Sequence, residues 1–524
     1  MARVLGHLPQ RSAAPKELEV RPKPSIAWIE ALPLAQPLES ARKLASHAEA
    51  LNHVRFDPDD RVQILEGARA AAGVLLEEME AIYTRSTLPH GQRARDAIAI
   101  ARTLASALST GYRIAASEKA GKLLGFGPKK QVPALLHRAM HYLFEGLRAS
   151  YKSYTQVPAG AWAQMHDLYL YAEEQGWLRE GVGDDAKTTV HDIYTESLLL
   201  ALTDPYRLAP GEADKVLAQA RAYRGLATLG QARPATPTGA HFLVPCDQDK
   251  PPKPALSAND DSGGPHWRLL DANALVDKLR ARKQAVEAGN VSATMRSALG
   301  PEGLALLAKL VTLWSEPPKR AHRRTPAEGT VAICTGLKTV MHFLAFESRM
   351  DPEAQQRALR EGITMPMVAL RLDDAAQEIP VFEWNIVNQS DGGLKLRRHA
   401  STPQSLAVGE VVGIKFPTRP RWTIGVLRWI TELDGGAVEF GVQFLADSAR
   451  GTWVQAVGAA SPQAKPGLLL DGEAHGDALI APPNTFSELR EYELVYDGDT
   501  AGVRANGLIE KTSRFELFHV APRA

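Results

Sequence analysis

The sequence predicts a multidomain α + β protein. An all-helical N-terminal bundle or solenoid is followed by an antiparallel β-barrel with a helical insertion and a small C-terminal β extension. Three observations carry this. Apolar residues recur at spacings of three and four through the N-terminal part, as in Val62, Leu65, Ala68, Ala72, Leu75, Met79 and Ile82. From Val381 onward the pattern becomes short alternating runs separated by Gly-rich turns. Pro/Gly/Ser-rich stretches, such as Lys250-Pro-Pro-Lys-Pro254 and Ala459-Ala-Ser-Pro-Gln-Ala-Lys-Pro466, mark the seams. These divide the chain into a flexible tail (1–25), a helical domain (26–230), a linker with a strand and helices (231–315), a barrel (316–456) and the C-terminal β extension (457–524).

The helical part opens on Asp57-Pro58-Asp59-Asp60, an aspartate cap with proline at the first helical position and acids facing the helix dipole. Arg95 to Ala116, Val132 to Tyr154, Ala159 to Gln175 and Thr188 to Leu202 repeat the helical periodicity, joined by turns such as Gly125-Phe-Gly-Pro128 and Val157-Pro158. No clean repeat period emerges, so bundle and array both remain open. His137 and His141 stand four apart, a spacing that can ligate zinc, but the glutamate of HExxH is missing and packing is the favoured reading. The block Tyr142, Tyr151, Tyr154, Trp162, Tyr169, Tyr171 and Trp177 reads as core first and as a partner groove second.

In the linker, His241 to Val244 is an isolated strand at most, and Lys250–Pro254 with Asn259–Pro265 reads as a flexible connection. Leu269 to Ala288 and Gly300 to Trp314 return to helix. Thr330 to Cys334 is a possible strand, an apolar run from Val340 to Phe346 follows, and Asp351-Pro352-Glu353 to Gly362 reads as an inserted helix. Val381 to Val387, Leu394 to Leu396 and Val411 to Phe416 alternate as strands. Thr423–Ile430 and Ala437–Phe444 flank Asp434-Gly435-Gly436 as a hairpin. The strand-like runs beyond the last linker are too short to form a full barrel by themselves, which predicts an extension packed on the barrel before it.

Composition bounds the chemistry. The chain of 524 residues has 44% apolar and 23% charged residues and a formal net charge of +1, which argues against a nucleic-acid polymer as partner. Its 2 cysteines, Cys246 and Cys334, make no Cys-x-x-Cys pair and read as reduced thiols. Proline interrupts the N-terminus before an apolar core forms, and no apolar run reaches membrane-spanning length, so a cytoplasmic location is expected. No nucleophile elbow or P-loop occurs, and Glu77-Glu78 and Asp373-Asp374 read as solvated acids. The expectation is a protein that is not an enzyme and has no metal or cofactor.

One basic cluster stands out. Arg320-Ala-His-Arg-Arg324 spaces two arginines four apart, between Pro317-Pro318 and Pro326, as an extended and mobile arm. Farther on, Asn388-Gln-Ser-Asp-Gly-Gly393 offers an amide, a hydroxyl and a tight glycine turn. Guanidinium forks onto phosphate or guanine edges and stacks on bases, so this combination suits a small anionic nucleotide. Each half alone also fits an ordinary solvated surface. Together, with Arg428-Trp429 and Glu439-Phe-Gly-Val-Gln-Phe444 in order behind them, they resemble the PilZ domain over Pro317 to Trp453. The resemblance implies a cyclic di-GMP receptor in which Arg320 and Arg324, with Arg323 in reserve, grip phosphate and guanine. Asn388, Ser390 and Gly393 complete the pocket, and the helical domain contacts a protein partner. The alternative is an interaction scaffold whose barrel no longer binds nucleotide.

Overall fold

The structure is a computed structural model that describes residues 8–121, 131–181, 188–232, 236–255, 264–290, 292–315, 322–348, 381–399, 406–458, 463–471, 477–496 and 499–523. By its contacts the chain divides into two compact units. One comprises Met1–Ser86, His90–Ser297 and Leu306–Pro318; the other comprises Thr87–Pro89, Ala298–Ala305 and Lys319–Ala524.

The first unit is built from helices α1 (Pro22–Glu30), α2 (Pro37–Asn52), α3 (Pro58–Thr84), α4 (Gln92–Gly121), α5 (Val132–Lys152), α6 (Ala161–Glu174), α7 (Val190–Leu202), α8 (Glu212–Tyr223) and α9 (Asn273–Glu287). Asp57 caps α3 as expected, accepting from the backbone N–H groups of Asp59 and Asp60. Thr189 and Asp192 form a capping box at α7. Helix α4 packs against α2, α3 and α5, one helix enclosed by three, which is a bundle. Short strands β1 (Ser12–Ala13) and β2 (Val54–Arg55) pair beside it. Of the aromatic block, Tyr142, Tyr151, Trp162, Tyr169 and Tyr171 are buried, so core packing accounts for them. His137 bonds Thr188 through Nε2 at 2.8 Å.

The region expected to be a linker carries a sheet of its own. Strands β3 (Thr228–Gly230), β4 (His241–Pro245), β5 (Lys253–Pro254) and β6 (Trp267–Asp271) form a sheet in the order β3-β6-β4-β5. The partner of His241–Val244 is the run read as the start of a helix, and Lys253–Pro254, read as part of a flexible connection, is an edge strand. Physical anchors tie this sheet to α6. Arg268 Nε donates to both oxygens of Glu173 at 3.0 Å, His166 Nε2 bonds the Lys250 carbonyl at 2.9 Å, and Asp249 accepts from the N–H groups of Gly160 and Ala163. Helix α10 (Ala293–Ser315) carries Trp314, buried, whose Nε1 donates to the Leu199 carbonyl at 3.0 Å.

The second unit holds two rings of strands. Strands β7 (Thr325–Pro326), β8 (Thr330–Thr335), β9 (Phe382–Ser390), β10 (Gly393–His399), β11 (Val411–Lys415), β12 (Thr423–Glu432) and β13 (Ala437–Ala446) follow the order β10-β13-β12-β11-β8-β9-β7. Pairing of β9 with β10 closes the ring, and β7 continues the β8 edge along β9. Helix α11 (Leu337–Ser348) forms the helical insertion; the expected helix from Asp351 to Gly362 lies outside the described residues.

The C-terminal strands close a barrel of their own, contrary to the expectation that they are too short. They do so by taking β14 (Ser448–Ala456), read above with the first barrel, into the order β14-β15-β16-β19-β18-β17. The other members are β15 (Lys465–Asp471), β16 (Ala478–Ala481), β17 (Glu491–Tyr496), β18 (Asp499–Lys511) and β19 (Glu516–Pro522), and β17 pairs back to β14. One apolar core serves both rings. Val340, Met341, Phe343 and Leu344 of α11 pack with Trp422 and Ile424 of the first barrel and Leu468, Ile480 and Phe515 of the second. Among the described residues no helix is long and apolar enough to cross a membrane.

Candidate functional site

The Asn388–Gly393 motif is the β9–β10 hairpin. Asn388 pairs with Lys395, Ile386 with Leu396, and the register shifts between these, so Val387 bulges and the strand twists where the motif begins. Gly393 is fixed by a close approach. A Cβ there would collide with the Val442 carbonyl oxygen, and the Gly392 carbonyl accepts from Phe444 N–H at 3.0 Å. Ser390 Oγ lies 3.4 Å from the Gly393 carbonyl, a long bond that leaves the hydroxyl available. Asn388 is half-buried, and its Oδ1 is buried with no hydrogen-bond partner among the described residues.

The basic segment reaches this hairpin. Thr325 pairs with Gln389 and Pro326 with Asn388, on the edge of β9 that β10 does not use. A proline fits there because an edge does not need its N–H. Arg324 therefore lies beside Gln389 and Ser390. His322 lies against Gly392: a Cβ on that glycine would be 2.6 Å from the His322 Cδ2. Arg323 and Arg324 are exposed, and among the described residues neither meets a carboxylate. Of the arm, Thr325 and Pro326 pair with β9 and His322 lies against the turn. Arg320 lies outside the described residues. Thus Arg323, Arg324, Asn388, Ser390 and Gly393 come together, although the two motif halves are far apart in sequence.

Two neighbours on β10, Lys395 and Arg397, carry no sequence motif. Lys395 and Arg397 both bind Glu439, Lys395 Nζ at 2.8 Å from Oε2 and Arg397 Nε donating to Oε1 at 2.6 Å. Burial pushes the Glu439 carboxyl up, but hydrogen bonds from Lys395 and Arg397 outweigh it and hold the group below the usual carboxylate range. Lys395 also stands 5.8 Å from the Trp429 ring centroid, and Trp429 lies over Gly441 where a side chain would block it. Gln443, the register partner of Gly393, accepts from Arg428 Nε at 2.8 Å; Arg428 Nη2 in turn donates to Glu510 of the second barrel at 2.7 Å. Arg428-Trp429 and Glu439-Phe-Gly-Val-Gln-Phe444, read in the sequence as closing strands, supply this floor. Arg398 sits apart, at the end of β10 away from the turn, with its guanidinium 4.5 Å from the Phe382 ring centroid. Burial lowers its pKa, and among the described residues its Nη1 has no hydrogen-bond partner.

A small antiparallel ring with a basic arm laid over an Asn-x-Ser-x-x-Gly hairpin, preceded by a helical bundle, defines the class. Residues 25–235 match the family model described as cyclic-di-GMP receptor FimW, N-terminal domain. Two overlapping stretches, 241–362 and 347–451, match cyclic-di-GMP receptor FimW, middle PilZ domain. The chain belongs to the PilZ-domain family, as a member with a long helical N-terminal region. A relative from Pseudomonas aeruginosa, named cyclic-di-GMP receptor FimW, is 24% identical over 481 residues, covering 82% of this chain and 78% of its own. No solved structure matches the chain.

Proposed function

We propose that this chain is a non-enzymatic cyclic di-GMP receptor acting in the cytoplasm. One observation carries the reading: the register of Thr325 with Gln389 puts Arg324 beside Ser390 and the Asn388 amide. In this reading Arg324, with Arg320 and Arg323, supplies charge-assisted bonds to phosphate and guanine acceptors. Asn388 offers its unpartnered Oδ1 to a guanine N–H, and its amide N–H₂ and the Ser390 hydroxyl can donate to the ligand. Gly393 lets the hairpin approach β13 closely. The name of the Pseudomonas aeruginosa relative supports the same ligand. The helical unit is the proposed surface for a protein partner.

The test is calorimetric titration of the full chain with cyclic di-GMP, alongside Arg324→Ala. Saturable heat in the wild type and a loss of roughly ten- to a hundredfold in the variant are expected, since a hydrogen bond to a charged group contributes roughly 1.5–3 kcal/mol. Absence of heat in the wild type overturns the receptor reading and leaves an interaction scaffold.

A further inference from the structure

We propose that His322 is a positioning residue that latches the arginine arm onto the ligand-binding turn before any ligand arrives. The inference deepens the receptor reading and rests on it. Gly392 adopts no left-handed backbone angle, so the turn itself does not demand a glycine there. The exposed His322 imidazole instead fills the space a side chain there would take, with Cδ2 at 2.6 Å and Nε2 at 3.1 Å from a Cβ built on Gly392, so the glycine leaves that ring its seat on the turn.

At the other end of the arm, Thr325 and Pro326 are fixed in register with Gln389 and Asn388. Only Arg323 and Arg324 lie between these two anchors. A trans backbone spans at most about 3.3–3.6 Å per residue, so two residues held at both ends cannot swing far from the hairpin. Without the latch, two adjacent like charges with no carboxylate to hold them would favour an open arm. The ordering cost of that arm would then fall on every binding event. The latch meets that cost at folding.

Three variants of the full chain test this: His322→Ala, Gly392→Ala and His322→Phe. The readouts are hydrogen exchange of residues 322–329 in ligand-free protein and the Kd for cyclic di-GMP. His322→Ala and Gly392→Ala should both speed exchange in the arm and weaken binding about tenfold, the scale of re-ordering one or two long side chains. His322→Phe should restore slow exchange and near wild-type affinity, because a ring against the glycine is what the latch uses. Unchanged arm exchange in His322→Ala overturns the proposal. So does a His322→Phe protein that binds as weakly as His322→Ala while its arm stays protected, since that marks the imidazole as a ligand contact. If the wild type itself gives no heat with cyclic di-GMP, the receptor reading fails, and the exchange comparison still decides whether the latch exists.

Discussion

Glu516 of the C-terminal barrel is fully buried, accepts from the backbone N–H groups of Thr485 and Phe486 and pairs with Lys511 at 2.7 Å. In the first barrel and its arm, by contrast, Arg323, Arg324 and Arg398 meet no carboxylate among the described residues, and Asn388 Oδ1 and Trp384 Nε1 are buried without partners. Both rings have similar strands, and they share a core. Charge pairing separates them: the buried carboxylate of the second ring is met by a lysine and two backbone N–H groups, while the first ring and its arm hold three guanidiniums that meet no carboxylate among the described residues.

The helical unit extends the contrast and gives the largest expected effect. Burial lowers His137 to about 3 and His166 to about 4. These imidazoles are neutral in the fold and titrate near 6.5 when unfolded, so their contribution to stability is complete above that pH. It is lost as pH falls toward the folded values. Glu439 and Glu516 are held below the ordinary carboxylate range, so the barrels keep their contribution until more acid conditions. Segment-resolved hydrogen exchange from pH 7 to pH 4 should show α5 and α6 opening before β10, β13 and β19. Barrels that open first would break the comparison.

Next in size, Glu516→Ala should lower stability by about 3–5 kcal/mol in a denaturant melt, the cost of stranding a buried charge's partners. Arg324→Ala should leave that melt unchanged and act on affinity alone. Arg398→Met should change stability by less than about 1 kcal/mol, because the guanidinium is partly exposed and a Met side chain can keep its contacts with the Phe382 and Trp384 rings; a larger loss would mean that the cation–π contacts themselves hold the barrel together. Ser390→Ala removes a neutral hydroxyl and should cost roughly 0.5–1.5 kcal/mol in cyclic di-GMP affinity, less than Arg324→Ala.

Local chemistry was legible in the sequence, and distant pairing was not. Asp57 announced α3 because a cap and a proline act on adjacent residues. The Asp434-Gly435-Gly436 turn announced β12 and β13 because both glycines take left-handed angles, φ 90° and 81°. Trp267–Asp271 went unread as a strand because a short apolar run before a helix fits either element, and only its partner His241–Pro245 decides. The strand Ser448–Ala456 was assigned to the wrong ring for the same reason. In the site, arginines, amide and hydroxyl were visible as residue types. Their convergence depends on β7 pairing with β9, and His322 occupies a position inside the arginine motif that no pattern marks.

The shared core has a consequence for how such a receptor can be inherited or re-used. The family match ends at 451, inside β14 (Ser448–Ala456), yet that strand belongs to the second ring, and α11 packs against Leu468 and Phe515 beyond it. A fragment cut at that boundary would lay bare the apolar side of α11 and sever the Arg428–Glu510 bridge. The PilZ ring is therefore not a cassette. Gene fusions, biosensors and recombination events that carry it into another chain must carry the second ring as its obligatory companion.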